Sequence, residues 1–137
     1  MEIKELIGLA MDNLRYSYSP YSGFRVSAIL TTLDGRIYTG CNIENAAYTP
    51  TNCAERTAFF KAVSEGAGCF KSMVIVGGLN GRVRDYCAPC GVCRQVMAEF
   101  CDPDSFQIIL AKSPEEYREF TLRELLPLSF GPDNLKM

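Results

Sequence analysis

A chain of 137 residues that is 47% hydrophobic and 22% charged is long enough for one domain with a substantial core, and its balance excludes a disordered or membrane-embedded protein. Its formal net charge of -2 lacks the basic excess that a phosphate backbone demands, which argues against nucleic acid as the main partner and for a small or neutral ligand. No stretch approaches the ~20 apolar residues of a membrane span. Residues 1–11 alternate charged and apolar side chains without the apolar run of a signal peptide, so a cytoplasmic location and no membrane partner are expected.

Taken in chain order, residues 1–18 predict an amphipathic helix, because Ile3, Leu6, Ile7, Ala10, Met11 and Leu14 recur at helical spacing. Pro20, Ser22 and Gly23 end it. Val26, Ala28 and Leu30 alternate as in a strand, residues 37–41 resume extended character, and Asp34-Gly35 between them signals an antiparallel hairpin. The polar, proline-containing stretch 42–52 reads as a loop. From Cys53 to about Gly66 the apolar stripe Ala54, Ala58, Phe59, Ala62 and Val63 predicts a second helix, with Thr51 or Asn52 as N-cap.

The β-branched run 73–76 reads as a buried central strand. After a polar loop over 79–88, Pro89 is expected to open a helix to about Phe100. Residues 105–110 and 117–121 read as two further strands, and 122–126 as a short final helix. Only six residues separate Leu110 from Tyr117, too few for a parallel crossover, so the last two strands should be antiparallel. The layout predicts a single α/β domain over 1–137, with one five-stranded mixed sheet.

Cysteine usage is the anomaly. Seven cysteines, and no histidine, in a chain expected to stay reduced point to a thiolate-rich metal site. Cys53-Ala54-Glu55 opens one predicted helix and Pro89-Cys90-Gly91-Val92-Cys93 opens another. Cys90 and Cys93 share a helix face, and Cys53 supplies a third ligand. Both helix N-termini favour thiolate over thiol. Three protein ligands leave the open position of a catalytic zinc site, and Glu55 gives that position a proton carrier. Three thiolates on a divalent ion leave the site negative, which weakens its acidifying power. Arg56 and Arg94, beside Cys53 and Cys93, are expected to offset this by hydrogen bonds to sulfur.

The segments Cys53-Ala54-Glu55-Arg56-Thr57-Ala58 and Pro89-Cys90-Gly91-Val92-Cys93-Arg94-Gln95 resemble the small zinc-dependent cytidine deaminases. The resemblance runs from Tyr21-Ser22-Gly23-Phe24 through Asn42-Ile43-Glu44-Asn45 to Leu126-Pro127-Leu128-Ser129-Phe130. It implies a three-layer α/β/α fold and one zinc per subunit on Cys53, Cys90 and Cys93, with a hydroxide in the fourth place that attacks C4 of the pyrimidine. Glu55 is implied to move the proton to ring N3 and then to the departing ammonia. Asn42 and Glu44 are implied to bind the ribose hydroxyls, Phe24 to pack on the nucleoside, and the Ala54 amide to meet the base carbonyl. The family is homotetrameric, which implies that Phe130, and also Tyr48, reach a neighbouring subunit's site. The implied reaction turns cytidine and deoxycytidine into uridine and deoxyuridine for pyrimidine salvage.

One departure is Ala88, where such enzymes often carry Ser, preceded by the extra Cys87. Cys87, Cys90 and Cys93 form a C-x2-C-x2-C run, which leaves two other readings open. An iron–sulfur centre would place a further cysteine at position 97, which is Met. A closed structural zinc site with Cys87 as fourth ligand would leave Glu55 without a purpose. Cys41, Cys69 and Cys101 read as small buried or half-buried side chains rather than ligands. Among other deaminase substrates, polynucleotides fit poorly with the acidic balance. Free cytosine and blasticidin S leave the Asn42-x-Glu44 element unexplained.

Overall fold

The computed structural model describes residues 1–136. Helix α1 (Ile3–Asn13) runs into a 3-10 turn (Leu14–Tyr16), followed by β1 (Phe24–Thr32), β2 (Ile37–Cys41), α2 (Ala54–Ser64), β3 (Phe70–Leu79), α3 (Gly91–Phe100), β4 (Gln107–Ser113), β5 (Glu116–Thr121) and the one-turn helix α4 (Leu122–Leu125). The five strands form one sheet in the order β2-β1-β3-β4-β5. Only β3 and β4 are parallel; β1 pairs antiparallel with both β2 and β3, and β5 antiparallel with β4. The mixed sheet with antiparallel first and last pairs is therefore as the sequence predicts.

Side-chain alternation makes the layers. On one face Leu6, Ile7, Ala10 and Leu14 of the first helical segment pack on Ile29, Val74, Val76 and Ile109. On the other, Ala58, Phe59, Ala62 and Met97 from α2 and α3 pack on Ala28, Leu30, Met73, Ile75 and Ile108. Strand β3 thus serves both cores, which is why residues 73–76 show no polar alternation. Burial of each large aliphatic side chain here contributes about 1.5–3 kcal/mol.

Several boundaries differ from the expectation. The first helix stops at Asn13, because Ser17 turns extended and Tyr18 bridges to Ile43 instead of continuing the helix. Strand β3 continues to Leu79 because Gly77 and Gly78 leave room for the following loop; a Cβ on Gly78 would lie 2.0 Å from the Arg82 carbonyl oxygen. Residues 105 and 106 belong to a turn held by the Asp102 carbonyl, so β4 begins later than predicted, at Gln107. The N-cap of α2 is Cys53, not Thr51 or Asn52, because Asn52 bridges to Ile43 and its amide donates to Thr57 Oγ1. Pro89 likewise stays outside α3, whose N-cap is Cys90.

Candidate active site

Helices α2 and α3 lie on the same sheet face, and each is entered through a cysteine. Cys53 and Cys90 both hold the extended backbone of an N-cap, and neither side chain caps its own helix. Their sulfurs turn toward each other instead, 3.8 Å apart, and Cys93 from the first turn of α3 completes a trio whose sulfurs all lie within 4.8 Å. Two thiolates about 2.3 Å from a tetrahedral zinc sit about 3.8 Å apart, so the donor set has the size and softness of a zinc site. Among the described residues this is the one cluster able to hold a metal.

The electrostatics follow from crowding three thiols at two helix N-termini. The Cys53 thiol is brought down to about 5 by a hydrogen bond from Cys93, with Arg56 and Cys90 adding to the effect against the cost of burial. The same bond and burial push Cys93 up, so that it keeps the proton it donates. Of this pair, Cys53 forms the thiolate readily, and a cation in the cluster would displace the proton that Cys93 keeps. Arg56 Nη2 donates to Cys53 Sγ at 3.2 Å, as expected from the sequence. Arg94 does not. Its Nε donates to the Pro89 carbonyl at 2.8 Å and its Nη1 to the Leu125 carbonyl at 2.5 Å, so it ties α3 to α4 rather than facing sulfur.

Glu55 is 4% exposed, on the first turn of α2. Burial lifts its carboxyl to about 7; the Cys53 charge adds to the rise, while its own backbone N–H and Arg56 oppose it. A group of that character beside a metal cluster can both take and give a proton near neutrality. Ala54 is fully buried at the first position of α2, where a backbone N–H has no acceptor within the helix.

Cys87 stands outside the trio. Burial pushes its thiol up to about 12, with the charges of Glu55 and Cys53 adding to the effect, and its sulfur lies against Gly77. The closed zinc site therefore loses its fourth ligand, and the iron–sulfur reading, already without a cysteine at position 97, loses Cys87 as well. Cys41 is half-buried and Cys101 buried, as expected, whereas Cys69 is exposed.

The remaining predicted residues form two groups. Asn42 and Phe24 are joined, since Asn42 Nδ2 donates to the Phe24 carbonyl at 2.8 Å. Glu44 and Tyr48 line a common cleft of about 420 Å³ with Tyr21, Ser22 and Thr51. The Ser22 hydroxyl and the N–H groups of Ser22 and Tyr21 bond the Glu44 carboxylate and hold it below its ordinary range, against some desolvation. Tyr48 is held at φ 63° in the 45–51 turn, and its ring is 72% exposed. Phe130 is 58% exposed on a segment fastened to α3 by the bond from Gln95 Nε2 to its carbonyl, and it lines neither Glu44's cleft nor the cleft beside Phe24 and Cys87. Sequence reasoning did not single out Ser17, Ser22 or Gly40, which contact these residues through pairings distant in sequence.

Comparison with known proteins agrees with this geometry. The family described as cytidine and deoxycytidylate deaminase zinc-binding region matches residues 1–108. A protein named cytidine deaminase from Sporosarcina psychrophila is 47% identical over 135 residues, covering 98% of this chain and 96% of that protein. One of the same name from Halalkalibacterium halodurans is 42% identical, covering 98% of each chain. The crystal structure of cytidine deaminase from Burkholderia pseudomallei superposes with a TM-score of 0.86 at 40% identity, covering 95% of this chain and 100% of that one. The fold, the three-cysteine cluster and the extent of these matches place the chain in the zinc-dependent cytidine deaminase family.

Proposed function

We propose that the chain hydrolyses cytidine and deoxycytidine to uridine and deoxyuridine with release of ammonia, in pyrimidine salvage in the cytoplasm. The observation that carries this is a buried, near-neutral Glu55 in the first turn of the helix that Cys53, one of the three cysteines with converging sulfurs, caps. Cys53, Cys90 and Cys93 would hold one zinc per subunit, which when bound would supply Lewis-acid activation of the attacking water. Glu55 takes one proton of that water and passes it to ring N3, then takes the remaining proton from the new C4 hydroxyl and delivers it to the amino group, which leaves as ammonia as the carbonyl forms. Arg56 offsets the third thiolate through its bond to Cys53.

Substrate placement follows from the surrounding chain. The free Ala54 N–H meets the base carbonyl, Phe24 packs on the nucleoside, and Asn42 and Glu44 bind the sugar hydroxyls. The outward-facing rings of Tyr48 and Phe130 serve a neighbouring subunit of a homotetramer. The described helices include none long and apolar enough to cross a membrane. The whole chain acts as one deaminase domain on a small nucleoside rather than on a nucleic acid.

The test is to follow the ultraviolet change of cytidine to uridine with the wild type and Glu55→Gln, while counting zinc by elemental analysis. The expected result is one zinc per chain in both proteins and a fall in turnover of roughly 100- to 10,000-fold in the variant. A wild type that binds zinc and leaves cytidine untouched would sink this reading.

A further inference from the structure

Asn42 offers one chemical face to the sugar, and the reason lies 25 positions earlier in the chain. Residues 17–19 run beside residues 42–44 as a parallel bridge: the Tyr18 N–H donates to the Asn42 carbonyl at 3.0 Å, and the Glu44 N–H to the Tyr18 carbonyl at 2.8 Å. This pairing places Ser17, only 7% exposed, against the Asn42 side chain. The Ser17 hydroxyl donates to Asn42 Oδ1, and the Val26 N–H donates to the same oxygen at 2.9 Å. Ser19 Oγ, 3.3 Å from Ser17 Oγ, is left to donate into Ser17, because the Ser17 hydroxyl has a single proton.

Both lone pairs of Oδ1 are thus occupied. One proton of Nδ2 goes to the Phe24 carbonyl, and the second is what Asn42 has left to give. Glu44 is the complement. Three donors from Tyr21 and Ser22 occupy its carboxylate and leave one acceptor site. Asn42 thus keeps a donor and Glu44, two positions on, an acceptor; on the reading that both face the sugar, a hydroxyl there accepts from Asn42 and donates to Glu44.

We infer that Ser17 is a positioning residue for sugar recognition: by filling the second lone pair of Asn42 Oδ1, it keeps Asn42 a pure donor toward the substrate's hydroxyl. The inference rests on the reading that Asn42 and Glu44 face the sugar. The Ser19–Ser17–Asn42 chain also polarises the amide, which strengthens the outward Nδ2 donor.

The test compares cytidine with 2′,3′-dideoxycytidine, which lacks the 2′ and 3′ hydroxyls and keeps the 5′ hydroxyl, as substrates of the zinc-loaded enzyme. Ser17→Ala is expected to lower the ratio of kcat/KM for cytidine to that for the dideoxy analogue by roughly three- to tenfold, through KM for cytidine. Ser17→Thr, which keeps the hydroxyl, is expected to restore the ratio to within about twofold of wild type. A merely structural Ser17 would lower both substrates together, and that outcome, or an unchanged ratio, overturns the inference. Asn42→Ala separates the two layers of the argument. If it leaves the ratio unmoved, the sugar reading itself fails and this inference with it; if it lowers the ratio while Ser17→Ala does not, only the role of Ser17 fails.

Discussion

At the scale of single residues, Arg56 shows how a three-thiolate site is made workable. Its guanidinium reaches Cys53 Sγ at 3.2 Å while its Nε is buried with no partner, so the side chain is committed to the sulfur at some cost. Arg56→Ala is expected to keep zinc at one per chain but to slow turnover roughly 10- to 100-fold, measured as kcat beside elemental analysis. Equal turnover in the two proteins would count against charge compensation. Arg56 was legible because it lies three residues after Cys53, on the same helix face, in a recognisable motif. Arg94 directly follows Cys93, yet its partners are the carbonyls of Pro89 and Leu125, because neighbourhood in sequence does not say which way a long side chain turns. Ser17 was not legible at all. Its importance arises from a bridge between Tyr18 and Ile43, and no local pattern announces it.

At the scale of elements, the placement of Glu55 depends on how closely α2 lies on the sheet. Gly40 in β2 sits under the first turn of that helix, where an added Cβ would be 2.3 Å from the Ala54 carbonyl oxygen and 2.6 Å from the Ala58 nitrogen. Both are backbone atoms and cannot swing aside, so a side chain there must lift the helix that carries Cys53 and Glu55. Gly40→Ala is expected to cost about 1–3 kcal/mol, read as a lower urea midpoint at an unchanged slope. It should also reduce kcat of the fraction that remains folded. An unaltered midpoint would mean that α2 has slack on the sheet. The elements themselves were legible from periodicity, turn residues and the short β4–β5 connection. Their ends were less so. Cys53 and Cys90, read as lying inside or beside the helix start, prove to be the N-caps, and what decides this is the commitment of Asn52 to Ile43 and the extended backbone of Cys90.

At the scale of the whole molecule, the three cysteines bring together two helix starts that are distant in sequence. Cys53 and Cys90 are 37 residues apart, with α2, β3 and the loop after it between them, and farther along, α2 and α3 also meet through the stacked rings of Phe59 and Phe100. An ion bound there stabilises the folded chain by its affinity for that state alone. Removing zinc with a chelator is expected to lower the thermal midpoint by several degrees, and returning zinc in slight excess to restore it. The same midpoint with and without metal would show that the two helices hold their positions unaided. Here too the sequence was partly informative: two motifs announced the cluster, while the exposure of Tyr48 and Phe130 is a property of the folded chain that no local pattern gives.

The use of N-caps as ligand positions bears on how the chain can change length. A ligand in the middle of a helix rotates away by about 100° for each residue inserted before it on that helix. Cys53 and Cys90 precede the first helical residue, and Cys93 follows within one turn, so residues added or lost at the far ends of α2 and α3 leave the register of all three untouched. The turn at Gly66 and Gly68, where an added side chain would meet open space, is therefore a place where this scaffold can accept new segments without disturbing its chemistry.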